Sequence, residues 1–516
     1  MNKIKILDCT LRDGGYYTNW DFDDSLIEAY AEAMESLPIE YVEVGYRSIP
    51  MKGYLGQYFY CPEYVLKKLK SLMPTKELVI ILNEKDIRSV HIEDGLLDPC
   101  KPYISLVRIA IDSKNIKRAI ALAKTVKDKG FKVAFNVMYM SNWKEDSSFL
   151  DYLEGIDDVI EYFYMVDSYG GVMPEDVIET IELVRSKTNV PLGFHGHNNL
   201  EMALANTLTS INHGCAVVDA TITGMGRGAG NLKSELLLTY LSAYKNLDVP
   251  FDLLSECVAG FENLKKEHNW GTSLPYMVSG SNSLPQKEVM DWVSNRSYSL
   301  NSILRALNNQ KENVSDNVKL PVFEASESYD KVIIVGGGGG AIKHSEAVSE
   351  YINNNLENVC LIHSSSKNAI YYKDIDVLQY FCLVGNEGHR LNKVYSGSPD
   401  SKVHKCILPP YPRKMGTFIP DAVANRAYEL SSVKFTNKYQ DSLFTLALET
   451  ALLLKCNDIY LVGFDGYQEG LSNKERELAK ENEYLIKKIM KLPTNIYSIT
   501  PSLYEVPQTS VYKLLI

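Results

Sequence analysis

Residues Lys3–Cys9 read KIKILDC, a short apolar run that turns polar at Asp8 and leads directly into TLRDGG. Seven further runs of this kind follow before about residue 225. Most are rich in β-branched or aromatic residues and are bounded by glycine, proline or polar turns, which is typical of buried parallel strands. The seven are YVEVGY (Tyr41–Tyr46), LVIILN (Leu78–Asn83), ISLVRIA (Ile104–Ala110), KVAFNVM (Lys132–Met138), YFYMVD (Tyr162–Asp167), LGFHGH (Leu192–His197) and VVDATIT (Val217–Thr223).

The segments between these runs carry helix patterns. NIKRAIALAKTVKDKG closes at Gly130, and PEDVIETIELVRSK begins at Pro174 followed by two acidic residues, which are ordinary helix stop and start signals. Eight strands alternating with helices over about 250 residues predict an α/β fold of the closed (β/α)8, or TIM barrel, type. An open doubly wound sheet is the alternative. A barrel requires its functional side chains to gather at the C-terminal ends of the strands.

Polar residues do follow the predicted strands at that end. A glycine-rich loop, Gly224–Asn231, follows the eighth run. The other positions are Asp8–Asp13, Glu43, Arg47, Asn83, Asn136, Asp167, His195 and His197.

The composition of the 516-residue chain excludes several function classes. Lys plus Arg is 54 and Asp plus Glu is 65, a net charge of −11, so the chain lacks the basic surface of a nucleic-acid binder. No apolar run approaches the roughly 20 residues of a membrane span, and the charged N-terminus does not fit a secretory signal. The nine cysteines stand singly, with no CxxC pair, which predicts free thiols and a cytoplasmic location.

The seventh run ends in a candidate metal site. His195 and His197 stand two residues apart and, on a strand, project from the same face toward one cation; the alternative is a pair of ordinary core or surface histidines. In a closed barrel the first and eighth strands meet, which brings Asp13 close. Two histidines and one carboxylate suit Mn²⁺, Mg²⁺ or Co²⁺, and with no cysteine expected nearby we do not predict a closed zinc site.

Three motifs in this order resemble those of the DRE-TIM (HMGL-like) metallolyases. They are Leu7–Gly15 (LDCTLRDGG), Glu43 on the second strand, and the His195/His197 pair. This superfamily includes hydroxymethylglutaryl-CoA lyase, isopropylmalate and homocitrate synthases, and 4-hydroxy-2-oxovalerate aldolase. The stretches FHGHNNL and GMGRGAGNLKSE look most similar to the aldolase branch. The resemblance covers about the first 240 residues and not the C-terminal third.

The resemblance implies a divalent-cation enzyme, with Mn²⁺ as the first choice, that binds a 2-oxo acid. Arg12 would stabilise the enolate that forms when the neighbouring C–C bond breaks or forms. Asp8 and Glu43 would orient Arg12 or, alternatively, form a buried ion-pair network without a chemical role. The implied metal ligands are Asp13, His195, His197 and, as a fourth ligand or just behind them, Asn231.

Substrate contacts are predicted at two further places in the mouth. Asn136 and Asp167 face it, although strand-end polar residues often bind only loop backbone. The glycine-rich loop, with Gly226 and Gly228, can bring backbone N–H groups close to an anion. Its alternative is a turn that needs positive φ angles.

One position departs from the aldolase branch, which usually has a histidine base three residues after the metal aspartate. Here that position is Tyr16, and a phenol with an ordinary pKa near ~10 is a poor base at neutral pH. Three interpretations stay open. Tyr16 carries the proton in modified form, another group replaces it, or the substrate differs from that of the known aldolase.

The rest of the chain is predicted to form a barrel domain 1–250, a helical extension 251–310, a linker 311–330 and a second domain 331–516. The second domain opens with the strand Lys331–Val335, five glycines and a helix, which predicts a Rossmann-like α/β domain. Its candidate anion site comprises Gly336, Gly338 and Gly340, and Asp465 is a candidate polar contact.

The ligand of this second domain stays open at the level of sequence. Gly336, Gly338 and Ala341 satisfy the G-x-G-x-x-A spacing, but NVCLIHSS, the next strand, ends without a carboxylate to hold a ribose, which argues against NAD. The domain vaguely resembles bacterial domains related to pterin diphosphokinases and flagellin glycosylation factors. A scaffold without ligand and a nucleotide or phosphosugar binder are the two interpretations.

The main functional hypothesis is a carbon–carbon lyase, a metal-dependent aldolase acting next to a 2-oxo acid, with pyruvate as the nucleophilic half and an aldehyde as the other. The first alternative is a Claisen-type acyl-CoA condensing enzyme on the same metal platform. The second is a non-catalytic module that binds a nucleotide-activated sugar. No nucleic acid or membrane partner is expected, and a homo-oligomer is compatible with these observations.

Overall fold

The structure is a computed structural model that describes residues 4–145, 147–294, 298–315, 317–395, 403–413, 415–467 and 473–516. The chain divides into two compact units, Met1–Asp291 and Trp292–Ile516. The predicted helical extension 251–310 is therefore shared between the two units.

The first unit is a closed barrel of eight parallel strands, as the sequence predicts. The last strand pairs with the first in parallel, with Lys5 opposite Val217 and Asp8 opposite Ala220. The strands are β1 (Lys5–Asp8), β2 (Tyr41–Tyr46), β3 (Glu77–Asn83), β4 (Ile104–Asp112), β5 (Lys132–Met138), β6 (Tyr162–Asp167), β7 (Leu192–Gly196) and β8 (Val217–Ala220).

Helices follow the barrel strands and extend the chain to residue 294. The α-helices are α1 (Thr10–Thr18), α2 (Asp24–Ser36), α3 (Gln57–Tyr60), α4 (Glu63–Leu72), α5 (Ser89–Glu93), α6 (Ile116–Asp128), α7 (Pro174–Arg185), α8 (Ala203–Asn212), α9 (Ser234–Lys245), α10 (Phe251–His268), α11 (Leu274–Ser281) and α12 (Gln286–Ser294). Short 3-10 helices cover Asp98–Cys100, Ser113–Asn115, Met140–Asn142, Ser148–Tyr152 and Ile222–Gly224.

Strand alternation decides which side chains reach the interior of the barrel. In β1, Ile6 packs in the large apolar layer between strands and helices, whereas Leu7 packs inside the barrel with Cys9, which follows the strand. The bottom of the barrel is closed by Lys5, whose Nζ donates to the hydroxyls of Tyr41 (3.3 Å) and Tyr162 (2.9 Å). This leaves the opposite end, where the strands terminate, for polar chemistry.

The eighth strand is shorter than predicted. It ends at Ala220, and the remainder of the predicted run forms the 3-10 turn Ile222–Gly224, in which Thr223 has φ +54°. The turn redirects the glycine-rich loop back across the barrel mouth, so that Asn231 forms an isolated antiparallel bridge with His197.

The second unit contains a seven-stranded parallel sheet, which fits the predicted Rossmann-like α/β domain. The strand order is β13-β12-β11-β10-β9-β14-β15, so the order reverses between β9 and β14. The strands are β9 (Lys331–Val335), β10 (Val359–His363), β11 (Gln379–Cys382), β12 (Val403–Leu408), β13 (Ala427–Glu429), β14 (Asp458–Val462) and β15 (Asn495–Ser498).

Alternate residues of β9 pack in different cores, Val332 and Ile334 in one and Ile333 and Val335 in another, as expected for a sheet that is covered on both faces. The α-helices of this unit are α13 (Leu300–Lys311), α14 (Gly340–Lys343), α15 (Ser345–Asn353), α16 (Glu387–Val394), α17 (Leu443–Leu453) and α18 (Asn473–Ile489). Its 3-10 helices are Ser366–Tyr371, Asp421–Arg426 and Lys513–Leu515.

Part of the predicted linker is packed against the second unit. The amide of Phe323 donates to the carbonyl of Glu429 (2.8 Å), and the Phe323 side chain is buried in the apolar core. Around Phe323 the chain is thus bound to the second unit, because an apolar residue interrupts the polar stretch and its backbone pairs with β13. The linker 311–330 stays a prediction. Within the described residues, no helix is long and apolar enough to cross a membrane.

Candidate metal centre at the barrel mouth

Closure of the barrel brings Asp13 next to the histidines of β7. Asp13 lies in the first turn of α1, where its amide donates to the carbonyl of Cys9 (2.9 Å). Its Oδ2 lies 3.6 Å from Nε2 of His195, and both side chains are almost fully buried. Burial raises the pKa of the Asp13 carboxyl, but Arg12, the two histidines and the hydrogen bond from Asn231 together outweigh it, and the pKa is lowered overall. Asp13 is therefore an anion in the site.

Both histidines have their Nδ1 atoms fixed by protein acceptors. Nδ1 of His195 lies 2.8 Å from Oδ2 of Asp219, and Nδ1 of His197 lies 2.6 Å from the carbonyl oxygen of Asp167. Because these oxygens can only accept, each Nδ1 carries the proton and each Nε2 keeps its lone pair for a cation. Burial, assisted by His195, lowers the pKa of His197 to about 3. His197 is therefore neutral, as a metal ligand must be.

Asn231 completes the donor set. Its Nδ2 donates to Oδ2 of Asp13 (2.7 Å), and its buried Oδ1 has no hydrogen-bond partner among the described residues. A carboxylate, two imidazoles and an amide oxygen are hard or borderline donors that fit a divalent cation such as Mn²⁺ or Mg²⁺. The residues present thus fit the predicted metal.

A buried ion network lies directly beneath these donors. Arg12 is paired with Asp13 and donates from Nε to Glu43 (2.7 Å). Glu43 in turn lies 3.3 Å from Arg108, whose NH2 donates to Asp219 (2.6 Å). Since Asp219 also holds His195, the network links both ends of the donor set. The Glu43 carboxylate thus holds the Arg12 side chain, and a role for Glu43 in the reaction stays a prediction.

The sequence analysis missed Arg108 and Asp219, two fully or almost fully buried charges. Each stands in the middle of an apolar strand, at a position whose side chain points into the barrel. That combination of charge and inward register is the signal that could have found them, because a buried ionised group is retained only with partners. The guanidinium of Arg108 also lies over the ring of Tyr164, 4.0 Å from its centroid.

A second set of potential donors lies behind the first. Ligand atoms of Cys9, His195 and Asp219 lie within 4.8 Å of one another, so the expectation that no cysteine would be near the site is wrong. However, Asp219 is already bound by Arg108 and by His195 Nδ1. Burial also raises the pKa of the Cys9 thiol well above its usual range, so it stays protonated. Cys9 and Asp219 thus lie behind the candidate ligands Asp13 and His197 and beside His195.

Tyr16 lies at the mouth, on the side of α1. Its hydroxyl is 3.1 Å from that of Tyr46, and its ring contacts Trp20 edge-to-face at 5.0 Å. The guanidinium of Arg227 lies over the same ring, 5.1 Å from its centroid. Burial raises the pKa of Tyr46 well above its usual range, which leaves two phenols side by side at the entrance.

Three other predicted site residues are bound to the protein itself. Asp8 points outward to the helices, where its oxygens accept from Tyr30 (2.6 Å) and Ser234 (2.8 Å). The prediction that Asp8 orients Arg12 is wrong, because strand alternation turns it away. Asn136 accepts from Nε of Arg108 (2.8 Å). Asp167 accepts from the amide of Gly171 (3.2 Å), and burial raises its pKa to about 7.

The glycine-rich loop owes its glycines to packing. Gly228 has φ +65°, and a side chain there would meet Gln286 at 2.2 Å; a side chain at Gly226 would meet Asn231 at 2.6 Å. The carbonyl of Gly228 also accepts from the Tyr17 hydroxyl (3.2 Å). These contacts follow the turn interpretation, and the predicted anion contacts of Gly226 and Gly228 have no support in them.

The predicted anion site of the second unit is satisfied internally. The amides of Gly336 and Gly338 donate to the carbonyls of Val462 and Gly463. The amide of Gly340 donates to Oδ2 of Asp465 (2.7 Å). The prediction of an open anion cradle is therefore wrong, because a protein carboxylate already lies where the anion would bind. A cleft of about 760 Å³ lies beside this loop, at the reversal of strand order.

Comparison with known proteins agrees with the barrel and its mouth. The HMGL-like family model matches residues 103–257. The crystal structure of the N-terminal domain of a putative aldolase from Bacteroides vulgatus is 53% identical, covers 59% of this chain and 100% of that one, and superposes with a TM-score of 0.56. The chain belongs to the HMGL-like family.

Two characterised relatives indicate the range of chemistry in this family. The oxaloacetate decarboxylase of Mycobacterium tuberculosis is 29% identical over 255 residues, 48% of this chain and 74% of that protein. A 4-hydroxy-2-oxovalerate aldolase of Carboxydothermus hydrogenoformans is 27% identical over 266 residues, 49% of this chain and 77% of that protein. Both names denote lyases that act on 2-oxo acids.

Proposed function

We propose that the barrel is a divalent-metal-dependent aldolase that makes or breaks a C–C bond next to a 2-oxo acid, with pyruvate as the nucleophilic half. One observation carries the proposal. Asp13 and His195 come from opposite ends of the barrel sequence, yet their ligand atoms lie 3.6 Å apart. The Nδ1 atoms of both histidines are bound on the far side. A bound cation would act as a Lewis acid on the keto and carboxylate oxygens of the substrate.

Arg12 supplies the fixed positive charge of the site. Glu43 holds its Nε and Asp13 its NH1, while the buried NH2 has no hydrogen-bond partner among the described residues. When the C3–C4 bond breaks, its electron pair moves toward the keto oxygen of the pyruvate half. A guanidinium donor already in place stabilises that charge without reorganisation.

Tyr16 is the proton carrier in this proposal. Aldol cleavage needs a group that removes the proton of the 4-hydroxyl, and aldol addition needs one that returns it to the aldehyde oxygen. The Tyr16 hydroxyl lies 3.1 Å from that of Tyr46, and the guanidinium of Arg227 lies over the Tyr16 ring, so the hydroxyl stands among polar groups at the barrel mouth.

Decarboxylation of oxaloacetate is the second candidate. The same bond position is cleaved, carbon dioxide leaves in place of an aldehyde, and no hydroxyl proton has to be removed. Tyr16 at the position of the usual histidine, together with the 29% identity to an oxaloacetate decarboxylase, favours this reaction. Both candidates share the pyruvate half and differ only in the leaving fragment.

The decisive experiment measures exchange of solvent deuterium into the methyl group of pyruvate. The protein is purified anaerobically, its metal content is measured, and exchange is followed by NMR with and without added Mn²⁺. We expect exchange that depends on Mn²⁺ and falls at least ~100-fold in Arg12→Ala, the range typical of removing one transition-state donor. Absence of exchange in the wild-type protein, or undiminished exchange in Arg12→Ala, would overturn the proposal.

Product analysis then separates the candidates. Pyruvate released from oxaloacetate, without any reaction of a 4-hydroxy-2-oxo acid, would favour the decarboxylase. Release of free CoA thiol from acetyl-CoA with a 2-oxo acid acceptor would favour a Claisen condensation, since an aldolase releases none.

A further inference from the structure

Arg227 is a cation at the barrel mouth that forms no ion pair with a carboxylate of the described residues. It lies between Gly226 and Gly228 in the loop after β8 and is half-buried. Within the described part of the chain, it makes no hydrogen bond or ion pair with a side chain. Its guanidinium lies over the face of Tyr16, 5.1 Å from the ring centroid. Its position and its lack of a partner together make it unlike the other arginines of the barrel interior.

Two other arginines of the barrel interior, Arg12 and Arg108, are paired with protein carboxylates. Arg12 has the carboxylates of Asp13 and Glu43, and Arg108 has those of Glu43 and Asp219. Removing a charge from water without pairing it is costly, and a half-buried arginine therefore marks a place where a ligand can supply the missing anion. The planar guanidinium is suited to a carboxylate or a phosphate, which it can bind through two parallel hydrogen bonds.

The residues around Arg227 indicate that this anion belongs to the aldehyde and not to pyruvate. The nearest phenol, Tyr16, is the residue that handles the proton of the aldehyde oxygen in the proposed mechanism. Its hydroxyl is bonded to that of Tyr46. Tyr139, held at φ +62°, feels the charge of both Arg227 and Tyr16, so these three side chains surround one part of the mouth. In the proposed mechanism the pyruvate half binds beside Arg12 and the candidate ligands.

We propose that Arg227 binds an anionic group on the aldehyde, so that the acceptor of this aldolase carries a carboxylate or a phosphate and is not a simple alkyl aldehyde. The inference rests on the proposed aldol function and adds the chemical class of its second substrate. The Tyr16 ring under the guanidinium fixes the direction of its donors, while Tyr46 and Tyr139 line the same part of the mouth.

The test compares matched aldehydes in aldol addition to pyruvate. Succinic semialdehyde is paired with butanal, and glyceraldehyde 3-phosphate with glyceraldehyde, so each pair differs in its anion. We expect kcat/KM to favour the anionic member by about 10- to 100-fold, the range of a charge-assisted hydrogen-bonded pair. The pair with the larger ratio identifies carboxylate or phosphate as the natural group.

Two variants assign the preference to Arg227. Arg227→Gln is expected to lose most of the preference for the anionic aldehyde. Arg227→Lys keeps the positive charge and should retain part of that preference, which then falls as the salt concentration is raised. Lys117→Gln is the matched control, because Lys117 also lies over a tyrosine ring (Tyr152, 4.3 Å) but on the exposed surface of α6. It should keep the full ratio.

Deuterium exchange into pyruvate separates failure of this inference from failure of the proposed function. Exchange needs only the pyruvate half, so Arg227→Gln should retain it. Exchange in the wild type with equal rates for anionic and neutral aldehydes overturns the inference alone. A rise in KM for pyruvate in Arg227→Gln, with exchange reduced, also overturns it, because Arg227 would then bind the donor. No exchange in the wild type overturns the proposed function and this inference together.

Discussion

The two units differ in how polar groups are bonded at the C-terminal ends of their parallel strands. At the mouth of the barrel, polar side chains converge and keep atoms without partners, such as NH2 of Arg12 and Oδ1 of Asn231. At the equivalent edge of the second sheet, the amides of Gly336, Gly338 and Gly340 all donate to protein oxygens. A glycine-rich loop follows a strand at each of these two edges. Oδ1 of Asp465 is also without a hydrogen-bond partner among the described residues, so the two edges differ in whether the loop amides are already bound and not in their glycines.

The largest expected effect is at a barrel ligand. Asp13→Asn should abolish metal binding and lower deuterium exchange into pyruvate at least ~1000-fold. The site would lose the carboxylate from the first turn of α1 and, with it, the cation proposed to act as Lewis acid. Metal analysis and NMR measure both. Asp465→Asn at the second sheet is the matched control and should leave both values unchanged. Equal loss in the two variants would erase the contrast between the edges.

Arg108→Met should destabilise the barrel by about 3 kcal/mol or more, because it leaves Asp219 buried without a counter-charge and Glu43 with Arg12 as its one remaining ion-pair partner among the described residues. The free energy of unfolding is measured with denaturant and hydrogen exchange of barrel peptides. Lys144→Met removes an exposed partner of Asp176 and Glu179 and should cost less than about 1 kcal/mol. Similar values for the two variants would contradict a structural role for the buried network.

Asp219→Asn should weaken metal binding about 10- to 100-fold while the fold is retained, as is usual for the partner of a metal-ligating histidine. The physical reason is the loss of the charge that holds Nδ1 of His195. Titration of the metal-free protein with Mn²⁺ gives the affinity. Unchanged affinity would remove Asp219 from the site.

The second unit should lose about 2 kcal/mol of stability between pH 7 and pH 5 through one histidine. His363, at the end of β10, is fully buried and stacked on Phe381 at 4.4 Å. Burial lowers its pKa to about 4. The unfolded chain, with a pKa near ~6.5, binds the proton first, so stability is full above that value and falls as the pH drops toward 4.

Hydrogen exchange of β10 and β14 peptides at the two pH values measures this loss. His363→Gln should flatten the difference, and His213→Gln, on the exposed surface of the barrel, should not. A pH dependence that survives in His363→Gln would assign it to other groups.

The barrel, and the position of Asp13 beside His195, could be predicted from the sequence because they depend on local pattern and on one topological rule. The alternation of apolar runs with helices gave eight strands, and closure then required Asp13 to lie beside His195. Arg108 and Asp219 could not be found among the polar residues at strand ends, because both stand inside a strand. Asp8 was misplaced although the alternation from Leu7 already turns it outward.

The glycine loops could not be interpreted from sequence for a physical reason. A glycine in the sequence indicates that the backbone needs space or a positive φ angle. It does not indicate which atom lies close to it. At Gly226 and Gly340 the approaching atoms belong to Asn231 and Asp465, which are five and 125 positions away along the chain. Only the folded structure shows where their N–H groups donate.

The pairing of β8 with β1 has a consequence for how the protein is made. The candidate ligands are contributed by the start of the barrel, at Asp13, and by its last segment, at Asn231. A nascent chain on the ribosome cannot assemble the centre until the final strand has emerged and docked. Tight binding of the cation therefore indicates that the barrel has closed. A chain truncated before β8 would emerge from the ribosome unable to bind the ion tightly.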